Sequence, residues 1–227
     1  MSKGLFIVGT GTDVGKTYVT GVLLKKLNEA GYDVGYFKAA MSGNERDVDG
    51  KLIPGDAKKV MEMSGSSQPP ESTCPYVYEK AVSPHLASKF EGNPVDMDVV
   101  KNAYKAVCEN HELVIMEGSG GILCPIRFDE KEIWLEDIIK EFDLPCLLVA
   151  DAGLGTINQV VLTERYMHSK NIKLTGILFN HFHPGDEMEE DNIRMCEYMT
   201  GLKVLGCIKD NEDTIDSSAE DIAKLFQ

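Results

Sequence analysis

The sequence predicts an α/β fold, a doubly wound, mostly parallel sheet with helices on both faces, three layers in all. Three observations carry that prediction. Short apolar runs alternate with longer segments of helical periodicity. Several runs are apolar at every position, as strands covered on both faces must be. The 227 residues suffice for one sizeable core and are short for two ordinary domains, so residues 1–227 are expected to form one domain.

The elements follow in order. Residues 5–8 read as a strand that runs directly into glycines. Residues 15–30 then carry Val19, Val22, Leu23, Leu24 and Leu27 at helical spacing, with Gly31 as a stop. A second strand follows at residues 34–37, and a short helix opens at Asp56. Residues 68–72, Gln-Pro-Pro-Glu-Ser, are a loop. A helix at 95–111 opens on acidic residues and places Val99, Val100, Tyr104 and Val107 on one stripe. Further strands are expected at 113–116, 144–150, 174–179 and 204–208, with helices at 133–142 and 157–170. Residues 181–191 read as a polar, acidic, exposed segment. The tail, 211–227, ends in an amphipathic pattern (Ile222, Leu225, Phe226) that packs on the sheet.

Composition narrows the function classes. Acidic residues outnumber basic ones 37 to 23, for a net charge of −14. That mean field repels phosphate backbones, so neither nucleic acid nor an anionic membrane is an expected partner. A few lysines can still be focused in a cleft. No apolar run approaches the roughly 18 residues of a spanning helix. Six cysteines are dispersed without metal-ligand spacing and read as reduced thiols, some of them buried, in a cytoplasmic protein.

The first strand leads into Gly9-Thr10-Gly11-Thr12-Asp13-Val14-Gly15-Lys16-Thr17, and a helix follows at once. Such a loop converges backbone N–H groups on a phosphate, and the helix start adds partial positive charge. Lys16 would reach the β- and γ-phosphates, and the Thr17 hydroxyl would hold Mg²⁺. The first glycine stands one residue earlier than the strict P-loop pattern has it, with Thr10 in its place. The alternative is a glycine-rich turn with a lysine stretched to solvent.

Mg²⁺ takes oxygen ligands, and two acids stand where the sheet would deliver them. Glu117 ends an apolar strand and precedes Gly118-Ser119-Gly120-Gly121; Asp56 opens the short helix after the second strand. A solvated loop acid and an N-cap are their respective alternatives. Lys38 ends the second strand beside the first loop, where a second cation would face a transferred phosphoryl group. Position alone also allows an exposed lysine there.

Together these segments resemble dethiobiotin synthetase, a P-loop NTPase-like enzyme family of biotin synthesis. The family loop G-T-x-T-x-V-G-K-T matches residues 9–17, and its strand-end lysine and Ser-Gly pair match Lys38 and Ser42-Gly43. Asp56-Ala57, Ser83-Pro84-His85, Glu117 with its glycine turn, Gly155-Thr156-Ile157-Asn158 and Asn180 match further family segments in order, covering residues 5 to about 208. This chain differs in carrying Gly11 for Asp, Ala39 for Pro after the lysine, and Lys209-Asp210 where Gly-x-Ile leads into Pro.

The resemblance implies a homodimeric ligase with shared active sites that turns 7,8-diaminononanoate, CO₂ and ATP into dethiobiotin, ADP and phosphate. One amine captures CO₂ as a carbamate, which attacks the γ-phosphoryl group; the second amine closes the ring on the resulting carbamic-phosphoric anhydride. By resemblance, ATP contacts Gly11, Thr12, Asp13, Val14, Gly15, Lys16, Thr17, Val19, Glu117, Gly118, Gly120 and Asn180. Mg²⁺ falls to Thr17, Asp56 and Glu117, and Lys16, Lys38, Thr12 and Ser42 form the catalytic set. Thr12, Lys38 and Ser42 also face the substrate. Its distal carboxylate falls to the helix start Gly155, Thr156, Ile157 and Asn158 of a partner subunit. A partition-type P-loop ATPase switch of the same fold is the rival reading, although its loop would carry an early lysine within residues 9–12. His181 and His183 read as a loop at the nucleotide rim, His85 as packing, and Cys124 as structural.

Overall fold

The computed structural model describes residues 2–227. Its chain runs β1 (Lys3–Gly9), α1 (Lys16–Glu29), β2 (Val34–Phe37), β3 (Ala40–Met41), α2 (Gly55–Ser64) and β4 (Tyr76–Val77). It continues with α3 (Pro84–Glu91), α4 (Met97–Cys108), β5 (Leu113–Gly121), β6 (Pro125–Phe128), β7 (Glu132–Trp134) and α5 (Leu135–Phe142). Last come β8 (Cys146–Asp151), α6 (Thr156–Ser169), β9 (Leu174–Phe182), α7 (Glu187–Thr200), β10 (Val204–Lys209) and α8 (Ala219–Ala223). Six strands form one parallel sheet in the order β10-β9-β8-β1-β5-β2.

The strands were legible because both of their faces are buried. On β1, Leu5 and Ile7 point into a core shared with α1, α2 and α8, while Phe6 and Val8 point into the core under α4, α5, α6 and α7. β5 and β8 alternate in the same way, Ile115 and Leu147 to one side, Met116 and Leu148 to the other. The result is the three-layer, doubly wound α/β fold. After β1 the chain builds outward to β2, and after β5 it crosses back to β8, so β1 lies at the point where strand order reverses. Ligand crevices in open α/β sheets form there, at the carboxyl ends of the strands.

Several expectations need correction. The glycines after Glu117 are not a free turn, because β5 continues through them and Gly121 pairs with Gly9. Residues 181–191 are not a loop. β9 extends to Phe182, and Asp186 caps α7 by accepting from the backbone N–H groups of Met188 and Glu189. Glu189 is buried rather than exposed. Ile133 belongs to the short β6–β7 hairpin, and helix α5 starts at Leu135. Val99 lies off the apolar stripe and is 44% exposed, while Val100, Tyr104 and Val107 are buried. In the tail, Ile222 and Phe226 pack on the α1 side of the sheet. Among the described residues no helix is long and apolar enough to cross a membrane.

Candidate active site

β1 delivers the loop of residues 10–15 to the crevice, and α1 starts immediately behind it. Two residues of the turn are left-handed, Asp13 at φ 61° and Gly15 at φ 86°. Gly15 is doubly required. Its φ disfavours any side chain, and a Cβ there would fall 2.1 Å from Asn180 Nδ2. Asn180, buried at the end of β9, donates from Nδ2 to the Val14 carbonyl at 3.3 Å and so braces the loop from the neighbouring strands. Lys16 turns back into the loop, its Nζ donating to the Gly11 carbonyl at 2.7 Å. Burial and the nearby Lys38 charge lower its pKa to about 8.

β2 and β5 deliver the second half of the site. Lys38 Nζ donates to Asp56 Oδ2 and to Glu117 Oε1, each at 2.7 Å. Thr17 donates to the same Glu117 oxygen at 2.8 Å, and the Tyr36 hydroxyl donates to Oε2 at 2.9 Å. Burial works against the Lys38 charge, but Glu117 and Asp56 outweigh it and hold its pKa above the usual lysine value. Burial likewise opposes ionisation of Asp56, and Lys38 reverses the effect, so that its carboxyl titrates below the usual range. Asp56 is not the cap of α2. Pro54 holds that position, and the carboxylate is committed to Lys38.

A cleft of about 1210 Å³ joins the two halves. It is lined by Thr12, Asp13, Gly15, Lys16, Thr17, Lys38, Ser42, Asp56, Glu117 and Gly120 among the expected residues. Gly11 is half-buried, does not line the cleft, and contributes its carbonyl to Lys16. Val14 and Val19 point into the core with α1. Gly118 packs against the sheet, where a Cβ would meet the Phe6 ring at 2.9 Å and the Ile7 carbonyl at 3.1 Å. Asn180 reaches the loop from below instead of lining the cleft. Gly155, Thr156, Ile157 and Asn158 begin α6 beyond β8, outside this cleft. Gly155 is left-handed, and the buried Thr156 hydroxyl has no hydrogen-bond partner among the described residues.

Sequence reasoning missed several residues in or behind the wall. Tyr36, fully buried behind Glu117, reads as an ordinary strand residue, although it stands two positions before Lys38, a spacing that puts both side chains on one side of extended backbone. Ser119 lines the cleft and donates to the Ala40 carbonyl at 2.8 Å. Cys124 lines it too; burial pushes the thiol up to about 11 against the pull of Lys16 and Lys38, which are remote in sequence. Ser83 and Pro84 form the opposite wall, and Ser83 Oγ is hydrogen-bonded to His85 Nδ1 at 2.9 Å.

The rim around β9 and β10 is arranged differently. His181 Nδ1 lies 2.8 Å from Asp151 Oδ2, with Asn180 Nδ2 donating toward its other ring nitrogen at 3.1 Å. His183 bridges Glu189 at 2.9 Å and Asp210 at 3.2 Å, and its hydrogen bond to Glu189 raises its pKa. Lys209 is paired with Glu212.

Chemically, the arrangement gathers two lysines, a hydroxyl and two carboxylates at a helix start in one crevice. The oxygens of Thr17, Asp56 and Glu117 are hard donors of the kind Mg²⁺ takes, and the loop offers a cradle for phosphate.

Comparison with known proteins agrees with this geometry. Residues 3–218 match a protein family described as an AAA domain. In solved structures, the MinC:MinD cell division protein complex of Aquifex aeolicus superposes with a TM-score of 0.57 at 12% identity, over 92% of this chain and 82% of that one. That likeness shows the fold. Sequence relatives are far nearer. The ATP-dependent dethiobiotin synthetase of Brachyspira hyodysenteriae is 46% identical over 100% of both chains. Those of Clostridium perfringens (45% identical, 94% of this chain and 93% of the relative) and Clostridium novyi (44%, 100% and 94%) follow. With a buried lysine–carboxylate site at its phosphate loop and such identity along its whole length, the chain belongs to the ATP-dependent dethiobiotin synthetase family.

Proposed function

We propose that residues 1–227 act as one synthetase domain that converts 7,8-diaminononanoate, CO₂ and ATP into dethiobiotin, ADP and phosphate. The observation that supports this most directly is the convergence of Lys38, Asp56, Glu117 and Thr17 within 2.8 Å contacts beside the Lys16 loop. The reaction needs no protein nucleophile. It needs an anionic carbamate held against an anionic triphosphate, a problem of placement and charge.

In this reading Lys16 leaves the Gly11 carbonyl for the phosphates, with the loop N–H groups beside it. Lys38 faces the transferred phosphoryl group, and the Thr12 and Ser42 hydroxyls orient the carbamate. Thr17, Asp56 and Glu117 would hold Mg²⁺, which neutralises charge on the phosphate oxygens. Gly11, Val14, Val19 and Gly118 shape and support the loop, and Asn180 braces it from beneath. The distal carboxylate of the substrate binds at the helix start Gly155, Thr156, Ile157 and Asn158 of a second copy in a homodimer. Backbone N–H groups at a helix start are free to receive an anion.

The test is direct. Diaminononanoate and bicarbonate together should stimulate phosphate release, with dethiobiotin formed in equal amount. Phosphate release indifferent to the diamine would instead favour a P-loop ATPase switch. For the shared site, a Lys16→Gln chain is mixed with an Asn158→Ala chain. Half of the dimers then carry one intact site, so about a quarter of wild-type activity should return. No recovery on mixing refutes the shared site.

A further inference from the structure

Glu117 divides its two oxygens between opposite surroundings. Oε1 faces the cleft and accepts from Thr17 and Lys38, at 2.8 and 2.7 Å. Oε2 faces inward and accepts from the Tyr36 hydroxyl at 2.9 Å. Tyr36 is 0% exposed and Glu117 only 2%, so water replaces neither partner. Strand register makes the pairing possible. Tyr36 stands opposite Ile115, and Glu117 lies two residues further along β5 on the same face.

Tyr36 is itself fixed from the far side. β2 is an edge strand, yet the Gln68 side chain closes that edge. Its carbonyl accepts from the Tyr36 N–H at 2.8 Å, and its amide donates to the Tyr36 carbonyl at 3.1 Å. Gln68, Tyr36 and Glu117 thus form a chain of directional contacts running from the sheet edge to the cleft. Without the phenol, Glu117 is free to turn Oε2 toward the cationic side of the site, and Oε1 loses its fixed place beside Thr17.

We propose that Tyr36 is a positioning residue that orients Glu117 to receive the divalent cation, an inference that rests on the reading of Glu117 as a Mg²⁺ ligand. Groups that orient metal ligands in this way change metal affinity by 10- to 100-fold when removed.

The probe is Mn²⁺, with free Mn²⁺ read by electron paramagnetic resonance on the full chain in the presence of a non-hydrolysable ATP analogue. Tyr36→Phe should weaken Mn²⁺ binding roughly tenfold. Affinity for the analogue without metal should stay within about twofold, and the Mg²⁺ concentration for half-maximal rate should rise in parallel with the Mn²⁺ constant. Wild-type Mn²⁺ affinity in Tyr36→Phe overturns the proposal. Two unnatural residues cover the case in which Tyr36→Phe is too unstable to purify. At position 36, p-methylphenylalanine keeps the volume and removes the donor, whereas p-aminophenylalanine keeps both. Metal affinity lost in the first and retained in the second supports the role, and equal affinity in both overturns it. Glu117→Gln separates the two levels. If it weakens Mn²⁺ binding and Tyr36→Phe does not, only the role of Tyr36 falls. If Glu117→Gln binds Mn²⁺ normally, the metal-ligand reading falls with it.

Discussion

At the β1–β5–β2 end of the crevice, Lys16, Lys38 and Glu117 are 7%, 5% and 2% exposed, and the lysines donate within 2.7 Å. At the β9–β10 rim the side chains of His181, His183 and Asp210 are 43%, 58% and 46% exposed, and their contacts reach 3.2 Å. The first region cannot lose a partner without stranding a buried charge, which is strongly destabilising. The second shares its charges with water, where ion pairs contribute little. Departures from the family pattern fall in both regions, Gly11 and Ala39 at the phosphate loop and beside Lys38, and Lys209 and Asp210 at the rim.

The largest expected effects test the buried end. Lys16→Gln should lower kcat/KM by roughly 10³-fold or more, since it removes the charge proposed to meet the phosphates. Lys38→Gln should lower kcat by roughly 10²-fold while nucleotide affinity changes little. Steady-state kinetics with a parallel binding titration separate the two. Collapse of nucleotide affinity with kcat preserved in Lys38→Gln would break the assignment.

A titration sharpens the same contrast. With its pKa lowered to about 8, Lys16 loses its proton above that pH in the free enzyme, whereas bound phosphate favours the charged form. Nucleotide binding must then take up a proton, and affinity should fall about tenfold between pH 7 and pH 9. Calorimetry in buffers of different ionisation enthalpy measures the uptake directly, and Lys16→Arg should flatten the profile. The linkage to stability has the opposite sign. Because the folded pKa lies below the ordinary lysine value, burying the charged lysine costs stability at neutral pH, and that cost is relieved as pH rises from about 8 toward the unfolded value.

The smallest effect belongs to the rim. Asp210→Ala frees one side of His183 and should change nucleotide affinity by less than about threefold, as exposed pairs do. A loss as large as that of Lys38→Gln would erase the distinction between the two ends.

What the sequence made legible follows the same division. The six sheet strands and the loop of residues 9–17 could be read because their signals are local: apolar runs, glycines and a lysine at a helix start. Lys38 and Glu117 could be placed because strand ends point into the crevice. The partnership of Tyr36 with Glu117 could not, since 81 residues separate them and a tyrosine in a strand is ordinarily packing. Helix α7 was hidden by its acidic first turn, which looks like a solvated loop until Asp186 is recognised as its cap. Pattern alone does not separate glycines that line the cleft from those that pack. Gly120 lines the cleft, while Gly118, two residues earlier, lies against Phe6.

The Gln68 clamp has a consequence for colloidal behaviour. A parallel sheet ending in β2 would otherwise present the unpaired Tyr36 N–H and carbonyl to any passing chain, a template for edge-to-edge association. One amide side chain satisfies both groups, and at the opposite edge Glu197 accepts from the Val204 N–H while Ser217 donates to the Leu205 carbonyl. At both margins side chains thus take the place of a missing neighbour at particular backbone groups, which lowers the tendency of an apolar sheet to recruit further strands there.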